Sequence, residues 1–325
     1  MKRNFFAIVF TFFCLISTRP QNKSYEFKFH NFFDNREYFN NFTEDKTIFG
    51  FLLQGNLNLK IYDFNKVKLG LTYLQEFGKR KINTPDFIGY YEFNKNNLTF
   101  VFGAFPFSDY ISQPLILLND TLQYYKPIFE GIFLQYAKTD FSSNIWIDWV
   151  QKQDTNKKET FVIGSTVVFK KNWFNYRHDL QFIHKALPLN PAPNEHIIDN
   201  GGILITGGIN FNYWLKDFDN LSANTGITMS YYRERTITPL LFYYGFYSQL
   251  NALIKNFGTT ITAYKGNGHN LIFGDHFYLA KKYIRTDIFY NLNYKTSITF
   301  QIRFSFHYVE NKIDNSQLIK LIVKI

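Results

Sequence analysis

The sequence predicts an all-β chain, a transmembrane antiparallel β-barrel of about 16 strands, within a range of about 14–18. Three observations predict it. The first is long, strict alternation, as in SITFQIRFSFHY at 297–308. There Ile298, Phe300, Ile302, Phe304, Phe306 and Tyr308 share one face, and Thr299, Gln301, Arg303, Ser305 and His307 share the other. Successive side chains of a strand point to opposite sides, so one face is apolar and one is wet. The second is the opening MKRNFFAIVFTFFCLIS, where Lys2 and Arg3 precede an apolar run from Phe5 to Ser17. That run is too short to span a membrane as a helix and reads as a secretory signal. The third is an aromatic content of 20%, with 39 Phe and 23 Tyr in 325 residues. Phe and Tyr favour strands, and Tyr suits a membrane interface. An AT-rich genome also enriches Phe, Tyr, Asn, Lys and Ile, but it does not produce alternation.

Bulk properties narrow the function classes. After the N-terminus no stretch approaches the roughly 20 apolar residues of a membrane helix, and mean hydropathy is -0.23. The formal net charge is +10. No basic helix or nucleic-acid module carries it, so nucleic acid is not an expected partner. On a barrel this charge favours anionic solutes inside or anionic headgroups outside. The one cysteine, Cys14, lies in the leader, so a disulfide framework or thiolate metal site is excluded from the mature chain. Phe12 and Phe13 precede Cys14 where a lipidation signal needs small residues.

Taken in order, residues 1–20 are expected to be the signal peptide, with cleavage between Ser17 and Gln21. Residues 21–325 form a single barrel domain with an inserted loop at 105–131. The alternation begins with Tyr25, Phe27 and Phe29 and continues from Phe49 to Ile61 and from Val67 to Tyr73. It resumes at Leu98, Phe100 and Phe102, then at Ile145, Ile147 and Trp149, and from Phe161 to Phe169. Later sets run from Ile203 to Tyr213, through Ile227, Met229 and Tyr231, and from Ile288 to Tyr294. The last comprises Ile319, Leu321, Val323 and Ile325. Strands of about ten residues joined by alternately short and long connections match a tilted membrane-crossing barrel. Short turns fall at 94–97 and 139–143, and longer loops at 78–87, 108–127 and 187–202. No internal sequence repeat argues for a propeller or solenoid.

The apolar face is expected to touch lipid. The alternating stretches exceed the usual strand of about five or six residues. Tyr213, Trp214, Tyr294, Tyr308 and Trp149 sit near strand ends, as an aromatic girdle requires. The polar face then lines a lumen. Arg177, Arg285, Arg303, Asp148, Asp287 and His307 are the pore-lining candidates. Each arginine either attracts anions from the wall or is paired with a nearby acid as a support. Within 105–131, Pro106, Pro114 and Pro127 exclude a regular ladder. The segment is read as a constriction loop folded into the barrel, with Leu115 to Leu118 on the inner wall. Tyr110, Leu115, Asp120 and Tyr124 are its candidate residues; an outside lid or surface helix is the competing reading.

The expected function is passive, porin-like passage of small hydrophilic solutes with a mild anion preference, without an enzymatic step, cofactor or metal. The alternatives are a barrel hydrolase acting on lipid or peptide, and a plugged structural or glycan-export barrel. For the hydrolase, GNGHN at 266–270 and GDHFY at 274–278 bring His269, Asp275 and His276 close in sequence. No Ser-centred motif accompanies them, and a Gly-, Asn- and Asp-rich turn accounts for the same residues. GNGHN also lacks the Gly-Lys-Ser/Thr ending of a phosphate loop.

Two stretches, GAFPF to IFLQY (103–136) and GDHFYLAKKYIRTDIFYNL to LIKLIV (274–323), resemble segments of porin-like exported barrels of Bacteroidota. The resemblance covers about a third of the chain and carries no catalytic signature. It implies residence in the outer membrane of a Gram-negative bacterium. The partners that follow are outer-membrane lipid and lipopolysaccharide, small hydrophilic solutes and the barrel-assembly machinery. The final Ile325 departs from the aromatic ending common in such barrels.

Overall fold

The computed structural model describes residues 23–80, 82–294 and 297–325. The expected signal peptide, its cleavage site and Cys14 lie outside the described residues. Sixteen antiparallel strands close into one barrel, with the last strand paired to the first. The first half runs β1 (Lys23–Glu37), β2 (Lys46–Tyr62), β3 (Asn65–Glu76), β4 (Asp86–Lys95), β5 (Leu98–Pro106), β6 (Ile128–Ala137), β7 (Phe141–Gln151) and β8 (Thr160–Lys171). The second half runs β9 (Phe174–Lys185), β10 (Ile198–Asn210), β11 (Asn220–Glu234), β12 (Leu241–Ile254), β13 (Phe257–Gly266), β14 (Lys282–Tyr294), β15 (Ile298–Val309) and β16 (Lys312–Lys324).

Closure satisfies every strand edge, which a hydrocarbon environment demands. The alternation sets the faces. Ile227, Phe304 and Ile319 are exposed on the outer wall, while Thr228, Ser305 and Ser316 point inward and are buried. One end carries mostly tight turns, including Asn172–Trp173 between β8 and β9 and Lys255–Asn256 between β12 and β13. Asn172 and Lys255 both adopt positive φ there, the backbone such two-residue hairpins require. The opposite end carries most of the longer connections. Phe211 to Tyr213, read as the end of a strand, instead form a 3-10 turn, because Asn210 Oδ1 accepts from the Asn212 amide and curls the chain.

The inner face is not uniformly polar. Towards the long-loop end, inward positions such as Ile88, Val101, Phe105, Phe133, Ile183 and Tyr283 are apolar and buried. Two connections fold inward against them. The first joins β5 to β6 over residues 107–127 and includes a single helical turn at Leu122–Tyr125. The second joins β13 to β14 over residues 267–281. Ile116 and Leu117 from the first and Phe277 and Tyr278 from the second enter the same core as the wall residues. Fully burying one such side chain contributes about 1.5–3 kcal/mol. The two connections also hydrogen-bond each other, Asn119 N to Phe273 O at 2.7 Å and Asp275 N to Leu115 O at 2.8 Å. Gly202 on β10 makes room for them: a Cβ there would stand 3.1 Å from His269 Nε2 and 3.2 Å from Leu117 Cδ2.

Candidate functional site

The inserted connection is fastened to the wall around its circumference. Asp120 Oδ1 accepts from Arg36 of β1 at 2.8 Å, and its Oδ2 lies 3.4 Å from Arg303 of β15. Burial alone would raise the Asp120 carboxyl; Arg36, Arg303 and Arg285 outweigh it and hold the group well below the usual carboxylate range. Tyr110 donates to Glu92 of β4 at 2.7 Å. Tyr124 is fully buried against Phe32, with ring centroids 4.3 Å apart, and its hydroxyl reaches Asp34 at 3.3 Å. Lys126 pairs with Asp148 of β7 at 2.8 Å. Leu115 packs on the interior core. The four residues singled out in this segment therefore all face the barrel interior.

The pore-lining candidates all project inward, and each arginine faces an acid. Arg177 Nε bonds Asp179 at 2.6 Å, and its guanidinium also reaches the Ser112 carbonyl of the inserted connection. Arg285 bonds its strand neighbour Asp287 at 2.8 Å, and Ser305 donates to the same carboxylate. His307 stacks on Phe277 at 4.4 Å and shares a 2.7 Å hydrogen bond with Tyr283. Arg285 and His307 are buried beneath the 267–281 connection, so they support the plug from the wall. Spacing of two along a strand brings Arg285 onto Asp287 and Arg177 onto Asp179, a signal present in the sequence. The partner of Arg303 comes from a loop 183 residues away.

His269, Asp275 and His276 do not assemble into a site. His269 is buried with Nδ1 3.1 Å from Thr228 Oγ1, and burial lowers its pKa to about 3. Asp275 caps the following turn by accepting from the Phe277 amide at 3.2 Å. His276 stands exposed. Three close sequence positions diverge because the turn is tight and its middle is anchored in the core. No cluster of three His, Cys, Asp or Glu side chains able to hold a metal occurs among the described residues.

A different arrangement stands on the outer wall at the long-loop end. Register places His184 of β9 beside Asp199 of β10. His184 Nδ1 lies 2.8 Å from Asp199 Oδ1. Arg235, just after β11, closes on the same carboxylate at 2.7 and 3.2 Å. Ile183 points inward and is fully buried, so His184 points out, tilted against Phe161 at 5.2 Å and stacked beside Phe182 at 6.5 Å. Trp149 stacks on Phe161 at 5.7 Å and extends this aromatic belt. Nδ1 of His184 is engaged with Asp199, and Nε2 has no protein partner among the described residues. Such a group accepts a proton from a bound water or alcohol. Alongside, His196 Nδ1 meets Thr236 Oγ1 at 2.7 Å. Thr236 holds a φ of 73°, a strained backbone for a β-branched residue. Lys158 bonds the His196 carbonyl at 3.2 Å and pairs with Glu195 at 3.8 Å. Sequence reading missed this cluster, because its members lie on separate strands and loops; the one available signal was a histidine on an otherwise apolar face.

Against this geometry, the model of the lipid A 3'-O-deacylase-type family matches residues 17–324. The chain belongs to the lipid A 3'-O-deacylase-type family. Membership in an enzyme family overturns the expectation of a barrel without enzymatic activity. No curated protein matches the chain. Solved structures similar to this family member are outer-membrane barrels. An anion-selective porin from Comamonas acidovorans aligns with TM-score 0.58 and 10% identity, covering 93% of this chain and 100% of the porin. A loop-deletion form of OmpT, an outer membrane protein of Vibrio cholerae, aligns with TM-score 0.55 and 9% identity over 93% and 99% of the two chains. Pseudomonas aeruginosa OccK2, solved in complex with glucuronate, aligns with TM-score 0.54 and 9% identity over 93% and 98%. At such identity these likenesses speak for the fold alone: the chain is a closed antiparallel β-barrel of 16 strands, as porins are.

Proposed function

We propose that this protein is an outer-membrane hydrolase that removes an ester-linked acyl chain from an acylated, anionic saccharide lipid. The observation that carries the reading is the family match across residues 17–324. The outward-facing His184–Asp199 pair supports it, because it lies on the apolar outer wall beside the aromatic rings of Phe161 and Phe182. In this reading His184 Nε2 takes a proton from water as the water oxygen attacks the ester carbonyl. The C–O bond to the saccharide breaks, and the proton passes to the departing saccharide oxygen. The products are a free fatty acid and a saccharide hydroxyl. Asp199 holds the imidazole in orientation and stabilises its charged form. Arg235 closes on the same carboxylate at 2.7 Å and fixes its position beside the imidazole.

The test is incubation of the detergent-extracted barrel with lipid A in mixed micelles, followed by mass spectrometry. Loss of one acyl chain by the wild type, with a fall of about 10²–10⁴-fold in His184→Ala, is the expected result. A folded protein that releases no fatty acid, or a His184→Ala variant with full activity, overturns the assignment. Passage of small solutes is a second reading, favoured by a polar cavity between the inserted connection and the short turns. It requires the Asp120 contacts to open, and planar-bilayer conductance measures it.

A further inference from the structure

Between the inserted connection and the short turns, the lumen holds a cavity of about 390 Å³, within the ~300–1,000 Å³ span of small-molecule sites. Ser112, Gln113 and Pro114 form its ceiling, and strands β8 to β12 its walls. The lining is rich in amides and hydroxyls. Its charge is nearly cancelled: Arg177 is spent on Asp179 at 2.6 Å, and Lys170 stands exposed at the open end.

Several of the amides are unspent, and two of them face each other across one strand. The side chains of Asn175 and Asn224 make no hydrogen bond with the other described residues, and both line the cavity. Between them lies Gly208, where a Cβ would come within 2.2 Å of Asn224 Oδ1 and 2.8 Å of Asn175 Oδ1. Glycine therefore keeps open a gap flanked by two free amides. On the neighbouring wall Gln249 and Asn251 bond each other at 3.3 Å, and Asn251 reaches Ser222 at 3.4 Å. These contacts are long and exchangeable for a ligand's groups. The ring of Tyr247 lies among them.

We propose that this cavity binds a neutral saccharide of one or two rings. A sugar hydroxyl both donates and accepts, and an Asn or Gln side chain offers both functions in one plane. A charged ligand deep in the cavity would meet no free counter-charge, since Arg177 is paired with Asp179 and Lys170 stands only at the open end. An apolar ligand would strip water from the amides without replacing their hydrogen bonds. The proposal concerns the interior and stands independently of the outer-wall reading.

The test is saturation-transfer NMR on the full chain extracted from outer membranes in detergent, with maltose as the probe. Transfer from the wild type is expected, falling at least fivefold in Asn175→Leu/Asn224→Leu and in the milder Gln249→Met. Heat-modifiable gel migration checks that each barrel is folded. Inorganic phosphate in excess is expected to leave the signal unchanged. Absence of transfer from a folded wild type, equal transfer in both variants, or displacement of maltose by phosphate would each overturn the proposal.

Discussion

Arg36 and Asp120 meet at 2.8 Å across 84 residues of chain, and this contact fastens the inserted connection to the first strand of the barrel. Arg303 approaches the same carboxylate from the fifteenth strand at 3.4 Å. Asp120→Asn leaves Arg36 its second partner, Asp34 at 2.7 Å, so the barrel itself is expected to survive. The connection loosens by about 1–3 kcal/mol. Hydrogen exchange over residues 116–124 should accelerate about 5- to 150-fold, since a tenfold change corresponds to about 1.4 kcal/mol. Unchanged exchange would show that apolar packing alone holds the segment.

The same latch has a defined pH response. Its carboxyl is lowered in the folded state, so its contribution is full above the unfolded value of about 4. It is lost only as pH falls below that value towards the lowered folded one. Bilayer conductance is expected to remain constant from pH 8 to pH 5 and to rise only in stronger acid. A rise beginning near neutrality would assign gating to another group.

His269 responds in a higher window. Burial lowers its pKa to about 3, against about 6.5 unfolded. A depressed histidine contributes stability that is full above about 6.5 and declines as pH falls towards 3. Exchange protection of residues 267–281 should therefore weaken across that interval. His269→Gln should remove the dependence while keeping a hydrogen bond to Thr228.

Asp199→Asn tests the outer-wall pair. The amide no longer stabilises a charged imidazole, so kcat for acyl release should fall about 10²-fold or more with KM little changed. Thr236→Ala measures its neighbour: retained activity is expected, because the reading assigns attack to water. Loss of activity in Thr236→Ala would move the nucleophile to that hydroxyl.

The two wall faces predict opposite tolerances. Ile227 is 63% exposed at the middle of the eleventh strand. Ile227→Lys should cost about 2–4 kcal/mol in folding into lipid vesicles. Asn251→Lys, on the inner face, should cost well under half as much by urea titration in the same vesicles.

Much of the barrel was legible in the chain because side-chain direction in a strand is a local property. Phe304 and Arg303 face opposite ways whatever lies beyond them, so alternation alone separates lipid from lumen. Pairs such as Arg285 and Asp287 follow from the same period. Apolar residues on both faces near the long-loop end, among them Ile88 and Ile183, were the unread sign that the lumen is filled there.

What the sequence by itself determined is the alternating wall, the inward direction of its polar residues and the irregularity of the segment around Pro114. Only the tertiary structure decided what those residues meet. Asp120 finds Arg36 and Arg303, and His184 finds Asp199, through barrel closure and strand register. Both are set by the whole sheet at once, because a strand's neighbours are chosen by pairing across the barrel and not by its own residues.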